Sequence, residues 1–173
     1  MCPEADPPAP PPVGGVTLAL AVQYATEAPE LPRWRLRRWA QRALDQTAAE
    51  EAALLERPRY THAELTLRLV DAEEGRALNQ SYRQRDYATN VLTFEYGIDP
   101  SGTVSGDIVL CVPVLYREAA EQGKPLQAHA AHLTVHGVLH ALGYDHLDED
   151  DARDMEALET RILASLRISD PYQ

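Results

Sequence analysis

The chain has 173 residues, 45% of them hydrophobic, with a formal net charge of −11 and two cysteines. That length suits one domain with a real core, and two cysteines exclude a disulfide scaffold and fit a reducing, cytoplasmic setting. The acidic balance argues against a general nucleic-acid coat, and no apolar run reaches the roughly 18 residues of a membrane span.

Residues 1–13 hold six prolines and read as a disordered leader over 1–15 rather than a signal peptide. A single folded domain is expected over 16–173. Residues 16–22 form an apolar run and predict a strand. Pro32 suits the first position of a helix over 32–55. That helix carries Arg33, Arg35, Arg37, Arg38 and Arg42, a local basic excess read as a solvated face, and Trp34 and Trp39, read as core anchors. Residues 62–70 alternate around Leu65, Leu67 and Leu69, as a half-buried strand does. Asp71 and Glu74 form a capping-box start for a short helix running to about Tyr82. Two strands follow, over 91–96 and 108–112, with a turn-rich stretch containing Gly97, Asp99-Pro100 and Gly102 between them. Cys111 reads as a buried small hydrophobe and Asp107 as a turn residue. A helix opens near Pro113 and stops at Gly123-Lys124-Pro125. A long helix spans 126–142, and a last one starts at Asp148-Glu149-Asp150-Asp151, whose acids suit a helix N-terminus. The expected order is β-α-β-α-β-β-α-α-α.

The informative block is residues 136–146, His-Gly-Val-Leu-His-Ala-Leu-Gly-Tyr-Asp-His. His136 and His140 share one helix face. His146 can join them only if the chain leaves the helix, and Gly143 stands where a left-handed residue would end it and turn the chain back. Three imidazoles with a fourth position open is the arrangement of a catalytic zinc. Metzincin proteases use this spacing with Glu directly after the first His. Here that residue is Gly137, so the metal cage is expected without the protease's base. His129 and His132 fall on the same face, as groups that contact phosphate, as partners orienting the ligands, or as polar residues lining a cleft wall. Asp145 reads as a turn aspartate or a group orienting the third ligand, and Met155 as core.

From Leu78-Asn79 onward the chain resembles the bacterial YbeY endoribonucleases. The resemblance rests on Tyr82-Arg83 and Asp86, then Thr89-Asn90-Val91-Leu92-Thr93-Phe94 and Gly106-Asp107-Ile108-Val109. It continues through Gln122-Gly123-Lys124-Pro125-Leu126, His129, His132, the histidine block, Met155-Glu156 and Asp170-Pro171-Tyr172. It covers roughly residues 62–173. Two departures stand out: Thr93 where the family usually has Ser, and Glu95 where Pro commonly follows the Phe. The resemblance implies an α+β fold, a small mixed β-sheet with surrounding helices, distantly zincin-like. It implies His136, His140 and His146 as ligands of one Zn2+ (Ni2+ or another divalent ion being alternatives) and Arg83 as the catalytic arginine. It further implies cleavage of single-stranded RNA in 16S rRNA 3′-end maturation and ribosome quality control. Small-subunit proteins and assembly GTPases would be the partners, with neither membrane nor DNA. The competing readings are a non-catalytic ribosome-assembly factor with a structural zinc and a metalloprotease; Gly137 argues against the latter.

Overall fold

The computed structural model describes residues 15–145 and 147–172. The leader, except its last residue, and His146 lie outside the described residues. Nine elements follow in chain order: β1 (Thr17–Tyr24), α1 (Arg33–Leu55), β2 (His62–Val70), α2 (Ala72–Arg83), β3 (Val91–Ile98), β4 (Thr103–Cys111), α3 (Val112–Gln122), α4 (Leu126–Ala141) and α5 (Glu149–Ser165). The order and type of these elements are those expected, and the fold is α+β.

The sheet runs β1-β2-β4-β3. The first three strands are parallel and β3 is antiparallel to β4, so β3 forms a free edge. The alternation expected in β2 is present: Ala63, Leu65, Leu67 and Leu69 are buried on one face. That face joins Leu18, Val104, Ile108 and Leu110 under α1, α4 and α5 as the main core. On the opposite face a smaller cluster of Val70, Leu92, Val109, Cys111 and Val114 packs with Leu78 and Phe94 beneath α2 and α3.

Helix α4 is the central element. Ala130, Ala131, Leu133, Thr134, Val135, Val138, Leu139 and Ala141 are all buried, the pattern of a helix enclosed on most sides rather than one with a single apolar stripe. Two glycines set how closely it approaches the sheet. A Cβ at Gly137 would stand 2.7 Å from Ile108 Cγ2, and one at Gly106 would stand 3.0 Å from Ala141 Cβ.

Four expectations need correction. Trp39 is buried but Trp34 is exposed, and Arg35 stacks on its ring at 4.8 Å; position 34 falls on the solvent side of α1 with Arg33, Arg37 and Arg38. Asp71 does cap α2 by accepting from Glu74 N at 2.8 Å. The Glu74 carboxylate does not return the bond; it pairs with Arg68 at 2.7 Å, which outcompetes a backbone N–H for a carboxylate. β4 begins at Thr103 rather than near Ile108, because the small polar residues Thr103, Ser105 and Asp107 occupy its open face and mask the strand pattern. Asp107 is therefore mid-strand, not in a turn, and accepts a hydrogen bond from the Tyr96 hydroxyl at 2.7 Å.

Candidate active site

Between the free edge strand β3 and the C-terminal half of α4 lies a cleft of about 270 Å³, lined by Arg83, Val91, Thr93, Glu95, His136, His140 and Asp145. Strand alternation explains one wall. Residues 91, 93 and 95 share the face of β3 that looks toward α4, while Leu92 and Phe94 point into the smaller core. Glu95 stands in this wall, so the departure noted in the sequence adds an acid to the cleft.

The opposite wall is the end of α4. The rings of His136 and His140 are 4.5 Å apart at 79°, and their Nε2 atoms face each other at 3.1 Å. The helix then ends in a Schellman motif. Gly143 takes φ +93°, its N–H donates to His140 O at 2.9 Å, and Tyr144 N–H donates to Leu139 O at 3.0 Å. Tyr144 fixes this turn by packing on the core and donating its hydroxyl to Glu51 Oε1 at 3.1 Å. Glu51 is in turn paired with Arg59. Burial, with Glu51 adding to it, pushes the Tyr144 phenol up to about 12, which keeps it a donor. Gly143 ends the helix in the left-handed region as its placement predicts, and Asp145 beyond it lines the cleft. His146 lies outside the described residues.

Arg83 is the last residue of α2 and is exposed. Gln84 ends the helix in the left-handed region at φ 58°. The loop beyond is held by Asn79, fully buried, which donates its side-chain amide to Tyr87 O at 2.7 Å, and by Arg76 paired with Asp86 at 2.5 Å. Arg83 itself has no hydrogen-bond or ion-pair partner among the described residues, so its guanidinium is available to the cleft.

The orienting group behind the histidines is Glu159 of α5, fully buried. His136 Nδ1 donates to its Oε1 at 2.5 Å, and His132 Nε2 donates to its Oε2 at 3.0 Å. The Tyr172 hydroxyl also donates to Oε2. Burial alone would raise this carboxyl; the bonds from His132, His136 and Tyr172 outweigh it and hold it at about 2. With its Nδ1 hydrogen-bonded to Glu159, the His136 ring is held with Nε2 toward His140. This is a carboxylate–histidine pair of the kind that orients metal ligands. The donor set fits a divalent metal. His132, His136 and Glu159 also lie close enough together to share an ion, but an ion there would have to displace hydrogen bonds that Glu159 already accepts.

The sequence did not single out Glu159. The signal is an acid within the apolar stripe of α5, where Met155, Leu158, Ile162 and Leu163 are the buried neighbours. His129 and His132 continue the row of rings, at 6.4 and 6.3 Å spacings, but they line a separate pocket beside Pro125 and Pro171 rather than the cleft of His136 and His140. His132 shares Glu159, whereas His129 is buried and faces Glu118 Oε1 at 3.3 Å. Burial lowers the pKa of His129 despite that carboxylate.

The profile of the family described as "YbeY: Endoribonuclease YbeY" matches residues 21–167. The chain belongs to the YbeY endoribonuclease family. Its relatives named "Endoribonuclease YbeY" include one from Bordetella petrii, 68% identical over 155 residues that cover 90% of this chain and 97% of that one. Another, from Thiobacillus denitrificans, is 50% identical over 156 residues covering 90% and 96%. The solution structure of TM1509 from Thermotoga maritima matches with a TM-score of 0.52 at 21% identity, covering 88% of this chain and 99% of that one, a likeness of fold. Membership in YbeY also gives Gly137 a physical role. A glutamate there, as in the metalloproteases, would drive its Cβ into Ile108, so the helix contact with the sheet excludes the protease's base.

Proposed function

We propose that this YbeY protein cleaves single-stranded RNA in the maturation of the 3′ end of small-subunit rRNA, using a divalent metal, zinc before nickel, held by His136, His140 and His146. The observation that carries this is one cleft in which two imidazole Nε2 atoms converge at 3.1 Å and Arg83 lines the same space.

A divalent ion bound there would supply Lewis-acid polarisation of a phosphoryl oxygen. Arg83 binds the same phosphate through its planar fork, donating two N–H bonds to oxygens whose charge grows as the bond breaks. Glu159 holds His136 in the tautomer and ring orientation that point Nε2 into the cleft. Glu95 and Asp145 repel phosphate from their positions and so confine it between Arg83 and the histidines. A cleft of this size admits a segment of unpaired strand but not a duplex, whose paired backbones cannot be splayed to enter it. The reading carries with it a cytoplasmic location, small-subunit proteins and assembly GTPases as partners, and no DNA substrate. Among the described residues no helix is long and apolar enough to cross a membrane.

The test is cleavage of a labelled single-stranded RNA and its duplex by wild type, Arg83→Ala and His140→Ala, with metal content measured on each. Wild type should cut the single strand only. Arg83→Ala should lose about 10²-fold or more in rate while keeping its metal, and His140→Ala should lose both. An Arg83→Ala protein that cuts normally would favour the assembly-factor reading.

A further inference from the structure

The C-terminal tail docks on the carboxylate that orients His136. α5 ends with Arg167 in the left-handed region at φ 61°, and Ile168 N–H donates to Leu163 O at 2.9 Å, so the chain reverses toward the start of α4. One bond then ties it to the start of α4 and a second shapes the tail itself. Lys124 Nζ donates to Pro171 O at 3.1 Å, and Tyr172 N–H donates to Asp170 Oδ1 at 2.8 Å. The result sets the Tyr172 ring edge-on to His132, with centroids 5.4 Å apart, and its hydroxyl on Glu159 Oε2.

Glu159 has two oxygens and three side-chain donors. His132 and Tyr172 both bind Oε2, which fixes the carboxylate plane and leaves Oε1 for His136 Nδ1. With Tyr172 gone, Oε2 would keep one donor, His132 Nε2, and the carboxylate plane would be less firmly fixed. Tyr172 touches neither the cleft nor any substrate there; it acts through Glu159 and His136. Its ring is half open to solvent, so packing alone does not account for its place.

We infer that Tyr172 is a positioning residue for metal binding, and that the tail from Asp170 to Tyr172 is a clasp that makes the metal site depend on the C-terminus. This rests on the metal reading proposed above. The test measures Zn2+ affinity by competition with a chromophoric chelator, together with the visible absorption of the Co2+-substituted protein and the thermal midpoint of the metal-free protein. The proteins are wild type, Tyr172→Phe, a chain ending at Asp170, and His140→Ala. Tyr172→Phe keeps the ring and removes only the hydroxyl. Zn2+ affinity should fall about tenfold and the Co2+ spectrum should shift, with the metal-free midpoint unchanged; the shortened chain should match or exceed that loss. Affinity within twofold of wild type overturns the inference. So does a loss of affinity that comes with an equally destabilised metal-free protein, because Tyr172 would then hold only the fold. The metal reading is judged separately, by whether wild type binds Zn2+ and His140→Ala does not.

Discussion

Arg83 and Glu159 have opposite surroundings, and the difference dictates how each should respond to substitution. Arg83 is exposed, with no partner among the described residues, so replacing it should cost little stability and much activity. Lys keeps the charge but not the two-pronged geometry. Arg83→Lys is expected to recover only part of the rate lost in Arg83→Ala, with unfolding free energies of both variants within about 0.5 kcal/mol of wild type; full recovery would show that charge alone suffices. Glu159 is buried and accepts from three side chains. Glu159→Gln supplies one acceptor oxygen and turns the other end into a donor facing donors. It should lower Zn2+ affinity 10- to 100-fold, measured by chelator competition, and an unchanged affinity would remove Glu159 from the ligand-orienting role. Cys111 is buried and free, and burial pushes its thiol up. It should resist iodoacetamide in the folded protein and react once denatured, as peptide mapping can show.

At the scale of elements, α4 both packs on the sheet and lines the cleft with His136 and His140, and Gly137 sits on its packing side. Gly137→Ala places a methyl 2.7 Å from Ile108 Cγ2. It should destabilise the protein by about 1–3 kcal/mol, read by chemical denaturation, and Ile108→Ala, which removes the Cγ2 that the new methyl meets, should relieve that cost in the double variant. Additive effects would mean that the contact is not the cause. Much of this element-level architecture was legible in the sequence, because alternation in β2, Asp71 and Asp148 as caps, and Gly123 and Gly143 as stops are local signals. What was not legible is equally physical. Thr103-Val104-Ser105 reads as loop because one face of β4 is uncovered at that end, and Trp34 reads as core because residue type says nothing about which side of α1 it occupies. Spacing put His136 and His140 on one helix face and the resemblance pointed to Arg83; the structure lines one cleft with all three, while His146, the third imidazole expected there, lies outside the described residues. Glu159 and Tyr172 were not foreseen, because their partners lie 23 and 13 residues away in sequence and no spacing rule links them.

For the whole molecule, the distribution of apolar residues says what holds it together. α4 is enclosed by the sheet, α1 and α5 through a continuous core that includes Leu36, Leu44, Leu67, Ile108, Leu139 and Ile162. His136 and His140 sit at the margin of that core rather than inside it. Chelation should therefore leave a folded protein that unfolds cooperatively, with a midpoint lowered only by the lost binding energy. Loss of far-ultraviolet dichroism on chelation would instead show a structural zinc. The central claim, that Arg83 and the histidine centre act together on rRNA, is tested most directly in cells. The 3′ end of small-subunit rRNA should be mapped in strains whose sole copy is wild type, Arg83→Ala or His140→Ala, each present at equal level. Unprocessed 3′ ends in both variants and mature ends in wild type are the predicted result. Mature 3′ ends in the Arg83→Ala strain would contradict it.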